Sequence, residues 1–387
     1  MTEDNSRYRG DGGTTANETT EVSLHLAEDV TEKVGSDRAK MSSEESRRTD
    51  RWAGARAGAL RTGACDAMGP GDHVRVRWRT PVSGAPSSPV VDGRAVYIGD
   101  GDGVRAMSVE DGGERWSHQV GAKVSTPAVT EESVFATSYS GILYALDAID
   151  GSKGWTYHAD GPIEAAPAVR DGEVVIADET GIVTTVVAGG TRKRSFRCGQ
   201  RSITGLAASE TTAFVSSLAG GVYARDVNHG RERWRFHPDR ATYGAPAVGE
   251  DAVYVATVDD GGVYAIDKVS GTCRWSFALG EPMWSAPAVD DGVVVCSGGD
   301  GCVYALESDD GTSRWSTQIG VTISCAPVIA DETVFVGTGD GAIVALDRDC
   351  GTVRWRFALD GVAIRGLAVE NRSVYVVDDV AAYALSP

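Results

Sequence analysis

The chain has 387 residues, of which 42% are hydrophobic and 24% are charged, and its formal net charge is −18 at pH 7. A chain of this length and composition buries a sizeable core, and its acidic balance excludes a general nucleic-acid-binding surface. No apolar stretch reaches the about 18 residues that a membrane-spanning helix needs. Thirty-one arginines outnumber six lysines, and a surface rich in acid stays hydrated at high salt. These features predict a halophilic source.

Residues 1–73 are polar and charged and lack a sustained apolar periodicity. Such a segment buries too little apolar surface to offset its ordering entropy, so we predict a disordered leader. Its stretch SRRTDRWAGARAGALRTGAC contains a twin arginine and ends in Cys65. The stretch resembles a degenerate twin-arginine lipoprotein signal in which Cys65 would be lipidated, although its apolar region is interrupted by Asp50, Arg51, Arg56 and Arg61. The leader therefore has two interpretations: the protein is lipid-anchored outside the cytoplasm, or it is cytoplasmic and the leader is a plain linker.

The seven cysteines include no CxxC pair, so neither a zinc site nor a complete disulfide framework is indicated. Cys296 and Cys302 flank the sequence SGGDG and are close enough for a disulfide if they face each other across a hairpin. Two free thiols are the alternative.

From Trp78 onward the chain repeats with a period of 38 to 41 residues. The repeat is marked by an aromatic residue: Trp78, Trp116, Trp155, Phe196, Trp234, Trp275, Trp315 and Trp355. Between two markers come three other short apolar runs, such as APVI, TVFVG and AIVAL, separated by turns rich in glycine and aspartate. Four strands per unit, a period of about 40 residues and no helical pattern are typical of β-propeller blades.

The phase of the repeat predicts how the ring closes. The first marker strand, around Trp78, has no partner strands before it, and the last three strands, within residues 365–387, have no marker strand after them. The N-terminal strand is therefore expected to complete the last blade, which leaves no open sheet edge. We predict an all-β, eight-bladed propeller of four-stranded antiparallel blades over residues 74–387, and a monomer.

Two units, Ala145–Trp155 and Ala345–Trp355, contain the string Ala-Leu-Asp-x-x-x-Gly-x-x-x-Trp, and two more, Ala265–Trp275 and Ala305–Trp315, differ from it at one position. This string resembles the PQQ-type repeat, and the resemblance extends from residue 74 to the end of the chain. It implies a fold like that of the quinoprotein dehydrogenases and of the BamB-like outer-membrane assembly lipoproteins.

Each residue type in the string has a local structural role. The aspartate accepts backbone N–H groups in a turn, the glycine takes a positive φ, and the tryptophan buries its ring against the neighbouring blade. We therefore predict blade-docking roles for Trp116, Trp155, Trp234, Trp275, Trp315 and Trp355.

Functional groups of a propeller gather in the loops at one mouth of its channel. Prolines at the start of the innermost strands are typical of a sheet edge that faces such a channel. The residues just before those strands are expected to line the mouth. Four of them have side chains suited to contact a ligand or a partner: Glu164, Tyr243, Trp284 and Arg365.

A quinoprotein dehydrogenase, as the resemblance implies, would need two adjacent cysteines over the quinone, a calcium site and long insertions between blades. This chain has no adjacent cysteines, its connections are short, and none of its six histidines lies in a nucleophile motif. We predict no catalytic residue, no metal site and no cofactor, and interpret the chain as a non-catalytic, BamB-like scaffold for an unidentified protein partner. The alternatives are a binder of PQQ or Ca²⁺ at the channel mouth and a quinoprotein-type dehydrogenase.

Overall fold

The computed structural model describes residues 56–71, 73–199, 202–238, 240–259, 261–359 and 362–387. These residues form eight antiparallel four-stranded blades in a propeller ring, one of which has an additional short strand. In this part of the chain the only helical element is a single 3₁₀ turn, Ala188–Gly190. The predicted all-β, eight-bladed fold is confirmed.

Blades 1 to 8 are numbered by the chain order of their inner strands, and the strands of a blade are named A to D from the channel outward. The A strands are Val90–Val91, Ala128–Val129, Ala168–Arg170, Ile203–Ala208, Ala247–Val248, Ala288–Asp290, Val328–Ala330 and Ile364–Glu370. The B strands are Ala95–Asp100, Ser133–Thr137, Glu173–Ala177, Thr212–Ser217, Ala252–Ala256, Val293–Ser297, Thr333–Gly337 and Ser373–Asp378. The C strands are Gly103–Ser108, Ile142–Asp147, Ile182–Val187, Gly221–Asp226, Gly262–Asp267, Cys302–Glu307, Ala342–Asp347 and Ala381–Ser386. The D strands are Glu114–Gln119, Lys153–His158, Thr191–Arg197, Glu232–Phe236, Cys273–Ala278, Ser313–Gln318, Val353–Ala358 and, in blade 8, Arg75–Pro81.

The ring closes through the N-terminal strand. Arg75–Pro81 pairs antiparallel with Ala381–Ser386, and Trp78 lies opposite Ala384. The last blade thus takes its outer strand from the other end of the sequence, as the phase of the repeat predicts. This pairing leaves the propeller without an open edge between its first and last blades.

Tryptophans of the D strands contact the next blade. In five of them the indole N–H donates to a carbonyl in the C–D turn of that blade: Trp78 to Val109 (3.0 Å), Trp116 to Ala148 (3.2 Å), Trp234 to Lys268 (2.9 Å), Trp275 to Ser308 (2.8 Å) and Trp315 to Arg348 (2.7 Å). Trp155 packs on Phe135 and Trp355 on Phe335, with ring centroids 5.9 and 5.8 Å apart. Trp155 also reaches blade 3, since a Cβ atom built on Gly190 would lie 3.1 Å from its ring, and Trp355 lies in a buried cluster with residues of blade 8. These rings therefore lie where two blades meet.

The glycine of the repeat makes room for this tryptophan. Gly351 has φ +70°, and a Cβ atom built on it would lie 2.5 Å from two ring carbons of Trp315. Any other residue at this position would be strained and would displace the indole ring. The spacing between glycine and tryptophan in the repeat is therefore set by contact between successive blades.

The aspartate of the repeat organises the C–D turn. Asp347 Oδ1 accepts the N–H groups of Asp349 and Cys350, each at 3.0 Å, and Asp347 Oδ2 lies 2.6 Å from Arg354 Nη2. The Arg354 guanidinium holds the pKa of Asp347 well below its usual value, and the Ser270 N–H has the same effect on the pKa of Asp267. These turns are stabilised by ionised carboxylates.

Acid is therefore expected to destabilise the propeller through these turns. A carboxylate whose pKa is lower in the folded state adds its full stability above the unfolded pKa of about 3.9, and this stability is lost progressively as the pH falls from that value towards the lower folded pKa. We expect the melting temperature, followed by circular dichroism, to fall steeply below about pH 4 in the wild-type protein and less steeply in Asp347→Asn. An identical fall in both proteins would contradict this role for Asp347.

Residues 56–71 differ from the predicted disordered leader. They contact the inner edges of the A strands, and Ala64–Cys65 forms a short parallel strand beside Val328–Ala330. The rest of the predicted leader, residues 1–55, lies outside the described residues. Residues 56–71 thus lie in the channel, before the predicted propeller boundary at residue 74.

Cys296 and Cys302 do not face each other across the hairpin. Cys296 pairs with Tyr304, and Cys302 pairs with Gln318 on the following strand. Both thiols are free, and Cys296 is buried. The register of the hairpin therefore favours the alternative of two free thiols.

Candidate functional site

The channel is occupied by the chain itself. We call residues 56–68 the channel segment. Four of its carbonyl groups accept backbone N–H groups from the A strands of blades 4 to 7: Ala59 from Ala208 (2.9 Å), Leu60 from Val248 (2.9 Å), Thr62 from Val289 (2.7 Å) and Gly63 from Ile329 (2.9 Å). The four donors hold the same position in successive repeats. The segment therefore passes from blade to blade around the channel wall.

Arg61 anchors the segment to backbone carbonyl groups of the channel wall, whereas the segment's own carbonyl groups bond to N–H groups. Its Nε donates to the carbonyl of Leu206 at 3.0 Å, and its Nη2 donates to those of Ala166 and Pro167 at 3.0 and 2.7 Å. The side chain is 1% exposed, and desolvation lowers its pKa to about 10. Arg61 is thus a buried cation at neutral pH that is held by carbonyl oxygens.

Arg56 lies in the same channel but has fewer partners. Its Nη2 donates to Pro287 O at 2.5 Å. Its Nε and Nη1 are buried without a hydrogen-bond partner among the described residues. Desolvation, followed by the charge of Arg61, lowers its pKa to about 9. The two arginines therefore share a buried environment, but Arg56 makes fewer hydrogen bonds than Arg61.

Cys65 is buried at the end of the channel segment. It is 2% exposed, its thiol lies 3.8 Å from Val369 O, and burial raises its pKa to about 12. Lipidation at Cys65 stays a prediction, and it would require this part of the segment to leave the channel.

The D–A loops and B–C turns form one mouth of the channel, and backbone hydrogen bonds connect them. The N–H of Tyr139, in the B–C turn of blade 2, donates to Lys123 O at 3.0 Å, and the N–H of Glu179 in blade 3 donates to Pro162 O at 2.8 Å. These hydrogen bonds therefore fix the backbone of the loops that carry the side chains of this mouth.

The structure brings three of the four predicted mouth residues into one neighbourhood. Trp284 is 65% exposed, and its ring packs edge-on against Tyr243 with centroids 6.1 Å apart. Tyr243 in turn lies within the electrostatic range of the Glu164 carboxylate. An aromatic pair and a carboxylate thus converge from the loops that enter blades 3, 5 and 6.

A further residue of this cluster, Tyr139, was not among the predicted positions. Its hydroxyl and the Glu164 carboxylate shift each other's pKa, that of Tyr139 upward and that of Glu164 downward, and Lys123 Nζ lies 4.8 Å from the centre of its ring. Tyr139 occupies a B–C turn, so the sequence signal that would have found it is an aromatic residue in such a turn.

Glu164 is in an unusual setting for a carboxylate. Burial raises its pKa, and the neighbouring charge of Glu179 adds to the rise, while the Tyr139 hydroxyl and Lys123 oppose it. Burial and the Glu164 charge also raise the pKa values of Tyr139 and Tyr243. We call Tyr139, Glu164, Tyr243 and Trp284 the mouth cluster; it is aromatic, half-buried and acidic.

Arg365 is separate from the mouth cluster. Its Nε and Nη2 pair with the two carboxylate oxygens of Asp379 at 2.7 and 2.8 Å. Within the described residues no contact joins it to Glu164, Tyr243 or Trp284. A bidentate ion pair on blade 8 accounts for this side chain.

Neither a cluster of metal ligands nor a membrane-spanning helix occurs among the described residues. They contain no group of three or more His, Cys, Asp or Glu side chains placed to hold a metal ion. Calcium takes about six to eight oxygen ligands, and the mouth cluster has one carboxylate. No helix in this part of the chain is long and apolar enough to cross a membrane.

Known proteins share this architecture. A family model described as outer membrane protein assembly factor BamB matches residues 101–217, 195–272, 218–329 and 319–386. Outer membrane protein assembly factor BamB of Yersinia pestis is 33% identical over 102 residues, a match that covers 24% of this chain and 26% of that protein. The chain thus matches only a minor part of that relative's length.

Solved structures agree with the fold. The crystal structure of BamB from Moraxella catarrhalis has a TM-score of 0.67 at 18% identity, covering 81% of this chain and 98% of that one. Quinohemoprotein alcohol dehydrogenase from Comamonas testosteroni has a TM-score of 0.71 at 13% identity, covering 89% and 82%. The family model extends over most of the propeller, and the chain therefore belongs to the BamB-type family of PQQ-repeat propellers.

Proposed function

We propose that this propeller is a non-catalytic scaffold that binds a protein partner through the mouth cluster. The observation that supports this most strongly is Trp284, whose large ring is 65% exposed yet oriented by Tyr243. Exposed, pre-oriented tryptophans and tyrosines are the residue types that dominate binding energy in protein interfaces. The description of the relatives as an outer membrane protein assembly factor agrees with a protein partner.

The chemistry of the mouth cluster favours a cationic group on the partner. Aromatic faces attract guanidinium and ammonium groups, and a half-buried carboxylate forms stronger charge-assisted hydrogen bonds than an exposed one. Glu164 lies beside two tyrosines, and its pKa is raised because its charge is poorly solvated. An arginine or lysine of the partner would supply a positive charge to pair with the Glu164 carboxylate.

A matched pair of variants tests the scaffold function. Val269 is 78% exposed in a C–D turn of blade 5, away from the mouth, and so provides a control for Trp284. We expect Trp284→Ala to lower the amount of partner that co-purifies with the chain from native cells by at least about tenfold and Val269→Ala to leave it unchanged. We expect Glu164→Gln to weaken binding without lowering the melting temperature, because the change removes a poorly solvated charge. Equal binding by all four proteins would contradict the proposal.

A cofactor binder or quinoprotein-type dehydrogenase is the second candidate, and the likeness to quinohemoprotein alcohol dehydrogenase favours it. Two features argue for the scaffold instead. Residues 56–68 occupy the channel, and the chain has no pair of adjacent cysteines.

A halophilic source is part of this proposal, and it predicts a dependence of stability on salt. At a net charge of −18, repulsion between acidic groups grows as screening weakens. We expect the melting temperature to fall as salt is lowered from about 1 M to 0.01 M. Equal melting temperatures across this range would contradict a halophilic adaptation.

A further inference from the structure

The inner edge of the A strands has backbone groups that no other strand of the blade pairs. In blades 4 to 7 these groups include the N–H groups of Ala208, Val248, Val289 and Ile329, all of which bond to the channel segment. We propose that this edge, in blades 3 to 7, is a binding site for an extended arginine-containing peptide, and that the channel segment occupies it as a ligand from the same chain. The site is distinct from the mouth cluster.

The backbone contacts are those of strand addition to a sheet edge. In that mode main-chain hydrogen bonds provide affinity, and side-chain pockets provide specificity. Here the bonds come from successive blades, and the segment ends as a parallel strand in which Ala64 pairs with Ile329 and Cys65 with Ala330. Further on, Met68 O accepts the N–H of Arg372 at 3.0 Å in the A–B turn of blade 8.

The side chains of the segment match narrow sites between the blades. Ala59, Leu60 and Ala64 each pack against a different buried cluster of the propeller. Gly63 has φ +69°, and a Cβ on it would lie 2.9 Å from the Cβ of Ala288. The site therefore favours glycine at position 63 and apolar side chains at positions 59, 60 and 64, as a peptide-binding groove does.

Arg61 is the specificity determinant of this site. One guanidinium satisfies carbonyl oxygens of blades 3 and 4 at distances of 2.7 to 3.0 Å. A fork of N–H donors fits several oxygens at once, whereas an apolar side chain of similar length would leave all of them buried and unsatisfied. Arg56 has one hydrogen-bond partner and contributes less to the specificity of the site.

The chain can be cut at Gly71 to separate the channel segment, which acts as the ligand, from the propeller. Gly71 is exposed, and a Cβ on it would meet no atom within 4 Å. A specific protease sequence inserted after Gly71 in the full-length chain allows the folded protein to be cut there. The fragment that ends at Gly71 is then bound only by non-covalent contacts.

Melting of the cut protein tests the proposal. A ligand that binds only the folded state raises the melting temperature with its concentration. We expect a synthetic peptide of residues 56–71 to raise the melting temperature of the cut protein by several degrees and to leave the uncut protein unchanged. We expect the Arg56→Met peptide to act like the wild-type peptide, and the Arg61→Met peptide to need about 100-fold higher concentration, because three charged hydrogen bonds are lost.

Two results would overturn the inference. One is a melting temperature of the cut protein that does not change with added peptide or with dilution. The other is equal action of the wild-type and Arg61→Met peptides. Neither result affects the scaffold proposal, whose test measures partner binding at Trp284.

Discussion

Replacing Trp315 by alanine is expected to destabilise the propeller by about 3–5 kcal/mol, the usual cost of removing a buried aromatic ring. Trp315 is 8% exposed and lies in a buried cluster shared by blades 6 and 7. Its indole N–H donates to Arg348 O at 2.7 Å, and its ring packs on Gly351. The variant would leave both a cavity and an unsatisfied carbonyl between two blades.

Urea unfolding followed by tryptophan fluorescence and circular dichroism measures this loss. Ser316→Ala is the matched control, because Ser316 is the next residue on the same strand and is exposed. Surface changes of this kind stay within about 0.5 kcal/mol. A loss below about 1 kcal/mol in Trp315→Ala would contradict the docking role of the tryptophan.

Replacing Arg61 by methionine is expected to cost at least about 3 kcal/mol, because it leaves the carbonyl groups of Ala166, Pro167 and Leu206 unsatisfied. Methionine keeps much of the side-chain volume, so the loss reports on hydrogen bonding rather than on a cavity. We expect faster amide exchange at Ala208 and Val248 as well, since their acceptors belong to the segment that Arg61 holds.

Arg56→Met provides the control in the same channel. Arg56 is a buried cation with one hydrogen bond and two unpartnered nitrogens among the described residues. Removing a poorly solvated charge next to another cation is expected to be neutral or stabilising. Equal destabilisation by both substitutions would show that charge alone, and not the carbonyl contacts of Arg61, holds the segment.

The eight blades could be predicted from sequence because the repeat is local and in phase. Most units contain their own turn carboxylate, turn glycine and docking tryptophan, and the contacts of Gly351 with Trp315 explain why their spacing is nearly constant. Closure by the strand around Trp78 followed from counting strands, and it needed no knowledge of long-range contacts.

The channel segment could not be predicted in the same way. Arg56 and Arg61 look like interruptions of an apolar signal region when only neighbours in sequence are considered. Their partners are backbone carbonyls of residues more than 100 positions away, and backbone groups leave no trace in side-chain patterns. Small residues such as Gly63 and Ala64 suit a signal cleavage site and a narrow channel equally well.

The mouth cluster was predictable in part. The position before each A strand identified Glu164, Tyr243 and Trp284, which the structure brings together. The same rule also selected Arg365, whose partner Asp379 lies in the adjacent B–C turn. Tyr139 was missed because the rule considered aromatic residues only in the D–A loops.

Melting curves of the full-length protein with and without PQQ and Ca²⁺ test most directly the claim that the channel is filled by its own chain and the propeller acts as a scaffold. A cofactor that binds the folded state at 100 times its Kd adds about 2.7 kcal/mol of stability. Because residues 56–68 occupy the channel and Arg61 is bonded to its wall, we expect the same melting temperature in both samples. A rise of several degrees with PQQ and Ca²⁺ together would contradict this account and favour a cofactor site at the mouth.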